Sequence, residues 1–153
     1  KIKKIPGSIA SLVTTIFLFF LLHILKISPN FILAFVIIIF FISLYAVNIF
    51  IKDLDNKDPK EVVIDEFIGQ SIPICLYEIA HEGTKETSQV LTSYFVMFIL
   101  FRIFDIVKPF PVSYYDKNFK NSFGVIMDDV AAGLYVVAVL VLYMVITTWK
   151  KYY

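Results

Sequence analysis

Long apolar runs, cut at short intervals by charged segments, constrain this chain more than any other feature. Ile9 to Leu25, Phe31 to Ile51, Val62 to Ala80, Val90 to Val107 and Val130 to Trp149 each approach the ~17–25 residues that cross a bilayer as a helix. With 59% hydrophobic residues and a mean hydropathy of +0.79, the chain exceeds the roughly 45–50% apolar content of soluble domains. The expected fold is therefore an all-α, polytopic membrane bundle of four to five hydrophobic helices, built as one domain over residues 1–153. Polar loops would carry any chemistry.

Charge position says more than charge total. The net charge of +1 offers no basic surface for nucleic acid, and Cys75, alone in an apolar run, reads as packing. The first run follows Lys1, Lys3 and Lys4 but precedes no small-residue cleavage site, so it reads as a retained helix. The third run is the ambiguous one, because Asp65, Glu66 and Gln70 lie in its first half and Pro73 interrupts it. A charge at mid-bilayer costs at least about 2.5–3.5 kcal/mol. These groups are therefore expected at an interface or in a wet cavity lined by protein. If all five runs cross, Lys1, Lys3, Lys4, Lys52, Lys57, Lys60, Arg102, Lys108, Lys117 and Lys120 share one side. Only Lys26, Lys85, Lys150 and Lys151 occupy the other. That asymmetry places the first group in the cytoplasm.

The same side collects Asp58, Glu61, Asp65, Glu66, Asp105, Asp116, Asp128 and Asp129. Asp53, Asp55 and Asp116 read as solvated loop acids. The acids that adjoin apolar helices need another reason to be there. Glu61, Asp65 and Gly69 recur every four residues on one helical face, with Glu66 and Gln70 on its flank, so two carboxylates can meet a common ion. Asp129 and Gly133 are also one turn apart, and a glycine below an acid lets a neighbouring helix approach. The Asp128–Asp129 pair also suits a helix start, where acids complement the dipole. Oxygen-only ligands of this kind suit Mg²⁺ together with a substrate phosphate. Asp65, Glu66, Asp128 and Asp129 are thus the candidate metal ligands.

Cations complete a phosphate site. Arg102 and Asp105 are three residues apart, a spacing that also fits a structural ion pair, and Lys108 follows at Pro109. Arg102 and Lys108 are the candidates for stabilising phosphate oxygens; Asp105 is a candidate ligand, general base or orienter of Arg102. Ser8 and Ser11 either cap the first helix or help hold a phosphate, and with Asp58 they are the candidate substrate contacts. His23 reads as packed or hydrogen-bonded within the first helix, and His81 as a loop residue. Neither has metal-ligand spacing.

Four blocks then carry a family resemblance. Residues 6–12, PGSIASL, resemble PGTxGSL. Asp58-Pro59 with residues 62–69, VVIDEFIG, resembles DPxxVVxDExxG. Residues 101–112, FRIFDIVKPFPV, resemble FRxFDxxKPxPI, and residues 124–133, GVIMDDVAAG, resemble GxxxDDxxAG. These are patterns of the phosphatidylglycerophosphatase A family, bacterial enzymes that remove the terminal phosphate of phosphatidylglycerol phosphate. Ser8 stands where that family usually has Thr, and Ala10 where it has Gly. The resemblance implies Mg²⁺ dependence, a phosphomonoester lipid substrate and an active site on the cytoplasmic face of the inner membrane. Two other enzyme classes fit less well: the CDP-alcohol transferase motif is absent, and two isolated histidines cannot supply a phospho-histidine mechanism. A small cation or proton transporter is the non-enzymatic alternative, and it predicts acids spread through the membrane depth.

Overall fold

The computed structural model describes residues 5–52, 62–81 and 86–152, and every element in it is helical. Helix α1 spans Ile5–Phe19 and continues as a π-helical turn over Phe20–Ile24. Pro29 occupies the first turn of α2 (Pro29–Ile51), after Ser28 in extended conformation; its fixed φ and missing N–H suit that position. Helix α3 is Ile64–His81 and α4 is Thr87–Val107. Lys108 then adopts a left-handed conformation (φ 49°), and Pro109 and Pro111 prevent α4 from continuing. A short α5 (Val112–Asn118) precedes α6 (Ser122–Tyr152).

Four helices, Pro6–Ile24, Pro29–Ile51, Thr87–Val107 and Ser122–Lys150, are long and apolar enough to cross a membrane. Their outer faces show Phe31, Phe41, Tyr45, Phe95 and Trp149, as expected of surfaces meeting lipid. Helix α3 differs. It carries Asp65, Glu66 and Glu78, and among the described residues none of its large apolar side chains is exposed. The ambiguous third run is therefore an interior helix, and its polar groups face other helices.

Side-chain contacts fix the helix directions. Glu66 approaches Gly7 at one end of α3, and Glu78 meets His23 at the other, so α3 runs parallel to α1. Tyr94 reaches the Glu78 end and Arg102 reaches Ser11, so α4 is antiparallel to them. Asp129 clusters with Asp65, and Gly133 packs on Gly69, so α6 is parallel to α3. The N-termini of α1, α3 and α6 thereby converge at one end of the bundle, where their partial positive charge favours anions.

One crossing sets the spacing of that end. Pro73 lies inside α3 without breaking it, and lacking an N–H it leaves the Gly69 carbonyl, four residues earlier, without its helical partner. That carbonyl faces Gly133 of α6, where an added Cβ would collide with it. Two glycines and one proline thus let the α3 and α6 backbones touch.

Candidate active site

Asp65 and Glu66 occupy the first turn of α3 and Asp129 the third turn of α6. One carboxylate oxygen from each lies within 4.8 Å of the other two. Asp129 is 3% and Asp65 8% exposed. Backbone amides hold the aspartates in place: the Glu66 N–H donates to Asp65 Oδ1 (3.1 Å), and the Asp129 N–H donates to Asp128 Oδ1 (3.0 Å). Gly7 leaves the space that the Glu66 carboxylate fills, since a Cβ there would collide with Glu66 Oε1. Glu66 Oε2 is buried with no hydrogen-bonding partner, and so are both amide atoms of Gln70, one turn further along α3.

Two cations border the triad. Arg102 donates from Nη1 to Ser11 Oγ (3.2 Å) and pairs through Nη2 with Asp105 Oδ2 (3.0 Å), while its Nε is buried without a partner. Ser11 Oγ in turn donates to the Gly7 carbonyl (2.9 Å). Lys108 Nζ bridges Asp116 Oδ1 and Asp128 Oδ2, each at 2.6 Å. Burial works against the Lys108 ammonium, yet the Asp128 and Asp116 carboxylates outweigh it and hold its pKa above the ordinary lysine value.

Three carboxylates this close repel one another in a medium poorer in water than bulk. A cation among them removes that cost. The donor set, all carboxylate oxygen with one buried oxygen unpartnered, fits a hard divalent ion.

The sequence-predicted residues distribute as follows. Asp65, Glu66 and Asp129 come together as expected. Asp128 turns to Lys108 and lies outside the triad. Arg102 and Asp105 form the ion pair that their spacing allows. Ser8 and Ser11 do not cap α1, because that helix begins before them, at Ile5; Ser11 instead anchors Arg102. Asp128 and Asp129 do not start a helix either, since α6 begins at Ser122. Asp58 and Glu61 lie outside the described residues.

Asp116 was expected to be a solvated loop acid and instead pairs with Lys108 on α5, a helix inside the segment read as a loop. His23 is packed as expected, stacked on Phe19 and 3.2 Å from Glu78 Oε1; His81 is the last residue of α3 and not a loop residue. Sequence reasoning missed the clearance at Gly7 and the Glu78 network. An acid inside an apolar run was the available signal for Glu78.

Comparison with known proteins shows the family. The family model described as phosphatidylglycerophosphatase A matches residues 1–144. A phosphatidylglycerophosphatase A of Haemophilus influenzae is 34% identical over 134 residues, covering 88% of this chain and 76% of the relative. A putative phosphatidylinositol-3-phosphatase of Bacteroides thetaiotaomicron is 37% identical over 102 residues (67% and 58%). A phosphatidylglycerophosphatase A of Escherichia coli is 31% identical over 108 residues (71% and 56%). The matched segment thus spans little more than half the length of the last two relatives. No solved structure matches. With a family model covering nearly the whole chain and a buried carboxylate cluster flanked by Arg102 and Lys108, this multi-helix membrane protein belongs to the phosphatidylglycerophosphatase A family of phosphomonoester hydrolases.

Proposed function

We propose that this chain is a Mg²⁺-dependent phosphatase that hydrolyses the terminal phosphomonoester of phosphatidylglycerol phosphate, releasing phosphatidylglycerol and phosphate at the cytoplasmic face of a bacterial inner membrane. The observation that carries this reading is the Asp65–Glu66–Asp129 triad, buried beside Arg102 and Lys108 where the N-termini of three helices converge. Acids alone repel a phosphate; a divalent ion and two cations reverse that sign. The cytoplasmic placement rests on the asymmetry of basic residues.

Asp65, Glu66 and Asp129 would hold the ion. When bound, it supplies Lewis-acid polarisation of the phosphoryl oxygens and neutralises their charge. The chain's own groups do the rest. Arg102, held by Ser11 and Asp105, presents its guanidinium to the phosphate oxygens, and its buried Nε is a further donor without a protein partner. Asp105 acts as the orienter of Arg102. Lys108 contributes a second positive charge from the loop side, steadied by Asp116 and Asp128. In the reaction the bond from phosphorus to the glycerol oxygen breaks, a bond from phosphorus to water oxygen forms, and the water proton passes to the departing alkoxide.

The Bacteroides relative's printed name concerns a different headgroup, so selectivity is part of the test. Purified protein is supplied with phosphatidylglycerol phosphate, phosphatidic acid or phosphatidylinositol 3-phosphate, with Mg²⁺ or with excess EDTA. Phosphate release that prefers the first lipid and stops on chelation is the expected result. Preference for the inositol lipid would overturn the substrate assignment, and full turnover in EDTA would overturn the metal assignment.

A further inference from the structure

A cavity of about 250 Å³ lies between α5 and α6, bounded by Pro111, Tyr115, Met127, Ala131, Leu134, Tyr135 and Ala138. Its five α6 residues recur at helical spacing along one face and span 12 positions, or about 16 Å of helix. Small side chains at Ala131 and Ala138 form the hollow, and bulkier ones wall it. The wall is fixed: Tyr135 donates a hydrogen bond to the Phe110 carbonyl and stacks on Phe104 at 5.0 Å. Apart from two tyrosine hydroxyls, the lining is apolar.

Its place on α6 gives it meaning. The opposite face of that helix, through Asp129 and Gly133, packs on α3 and builds the acidic site. Asp128 sits between the two faces, and Lys108 joins it to Asp116, the neighbour of Tyr115. Tyr115 and Met127, the chain neighbours of Asp116 and Asp128, therefore put one end of the groove beside the Lys108–Asp128–Asp116 bridge, and its lining continues from there along the apolar part of α6. A hollow on a membrane-spanning helix is filled by hydrocarbon, because neither water nor an unpaired polar backbone is stable there.

We propose that this groove holds one acyl chain of the phospholipid whose headgroup phosphate lies among Arg102, Lys108 and the carboxylate triad. The proposal rests on the phosphatase reading and adds to it a subsite for the lipid's apolar part. Bulk lipid is as apolar as the groove, so the gain is one of position: a chain seated along α6 delivers its headgroup to the rim. The volume, below the ~300–1,000 Å³ of pockets that enclose whole ligands, suits part of one chain and not an entire lipid.

The test uses the full-length protein in phosphatidylglycerol vesicles containing a trace of phosphatidylglycerol with a diazirine midway along one chain. This probe needs no turnover. Labelling concentrated at Tyr115, Met127 and Leu134 is expected, and it should fall in Ala138→Phe, which fills the groove from an exposed position, but not in Leu91→Phe on α4. In parallel, Ala138→Phe should lower kcat/KM for a long-chain substrate by about tenfold and leave unchanged that for the same headgroup ester without acyl chains. Labelling spread evenly over the exposed helix faces, or cross-links between two copies through α6, would overturn the groove assignment. If wild-type protein hydrolyses no lipid phosphomonoester while labelling still concentrates in the groove, the phosphatase reading fails and the acyl subsite stands.

Discussion

Replacing Gly69 by alanine tests whether the α3–α6 crossing sets the chemistry. A Cβ at position 69 would lie 2.6 Å from the Asp129 carbonyl oxygen and 2.8 Å from the Phe101 ring, whereas ordinary contact begins at 3.4 Å. The backbones must therefore separate by 3.4 − 2.6 = 0.8 Å, or the Asp129 peptide must tilt. Either response moves Asp129 away from Asp65 and Glu66, because the contact is to the Asp129 peptide itself while those two acids sit about one turn before Gly69 on α3. Overpacking of this kind costs about 1–3 kcal/mol of stability. A misplacement near 1 Å can cost about 10²-fold in rate. Gly69→Ala should therefore lower kcat by about 10²-fold and raise the Mg²⁺ concentration needed for half-activation, with a smaller change in KM for lipid. Phosphate release across Mg²⁺ and lipid titrations reads all three, and thermal melting in detergent reads the loss of stability. Gly69→Ser serves as a second variant of similar bulk. Wild-type kcat with an unchanged Mg²⁺ requirement in both variants would refute the idea that this crossing spaces the ligands.

Other consequences follow from the same geometry. Asp65→Asn and Asp129→Asn should abolish turnover yet leave folded protein, and the rise in melting temperature that Mg²⁺ gives the wild type should shrink in both; wild-type rates with undiminished stabilisation would show that these acids are not ligands. Lys108→Gln leaves Asp128 and Asp116 facing each other without their shared cation, so it should lower the melting temperature, and adding Asp128→Asn should recover part of the loss. Strict additivity of the two substitutions would mean that the bridge contributes nothing. In a Cys75→Ser background, a cysteine at Asn118 should be shielded from an impermeant thiol reagent in intact cells and one at Thr84 labelled; the reverse pattern would invert the orientation read from the basic residues.

Hydropathy made five helices legible because contact with lipid and burial in the bundle both select apolar residues. It marks apolar surroundings, not helicity, and the two differences follow from that. Helix α6 extends back to Ser122, well ahead of the apolar run at Val130, because Asp128 and Asp129 lower the hydropathy without interrupting the helical backbone. Helix α5 lay hidden between Pro109 and the polar residues around Asn118, since seven residues give too short a pattern to stand out. The acids at positions 65, 66 and 129 were readable as a candidate cluster because acids beside apolar helices need a reason. Their arrangement was not readable. That Gly7 clears space for Glu66, that Pro73 frees the carbonyl against which Gly133 packs, and that Asp128 turns to Lys108 are all relations between distant segments, and one-dimensional spacing carries none of them.

The two ends of α3 show what separates an acid that holds a fold from one that awaits a partner. Glu78, 7% exposed, accepts a hydrogen bond from the Tyr94 hydroxyl at 3.0 Å and meets His23 at 3.2 Å, while Tyr77 donates to Ser93 at 2.8 Å beside it. That carboxylate is partnered inside the protein, and it ties α1, α3 and α4 together. At the other end Glu66 keeps a buried oxygen with no partner, and two further carboxylates crowd it. A buried polar atom left unpaired costs about 1–3 kcal/mol, so the folded chain carries a standing penalty there that a ligand would relieve. Between these ends, from Phe67 to Tyr77, α3 has no ionisable carboxylate or amine. A conduction path for protons or cations would need groups at that depth. The three crowded acids at one end, flanked by an anchored arginine, instead match a binding site at that end of the bundle.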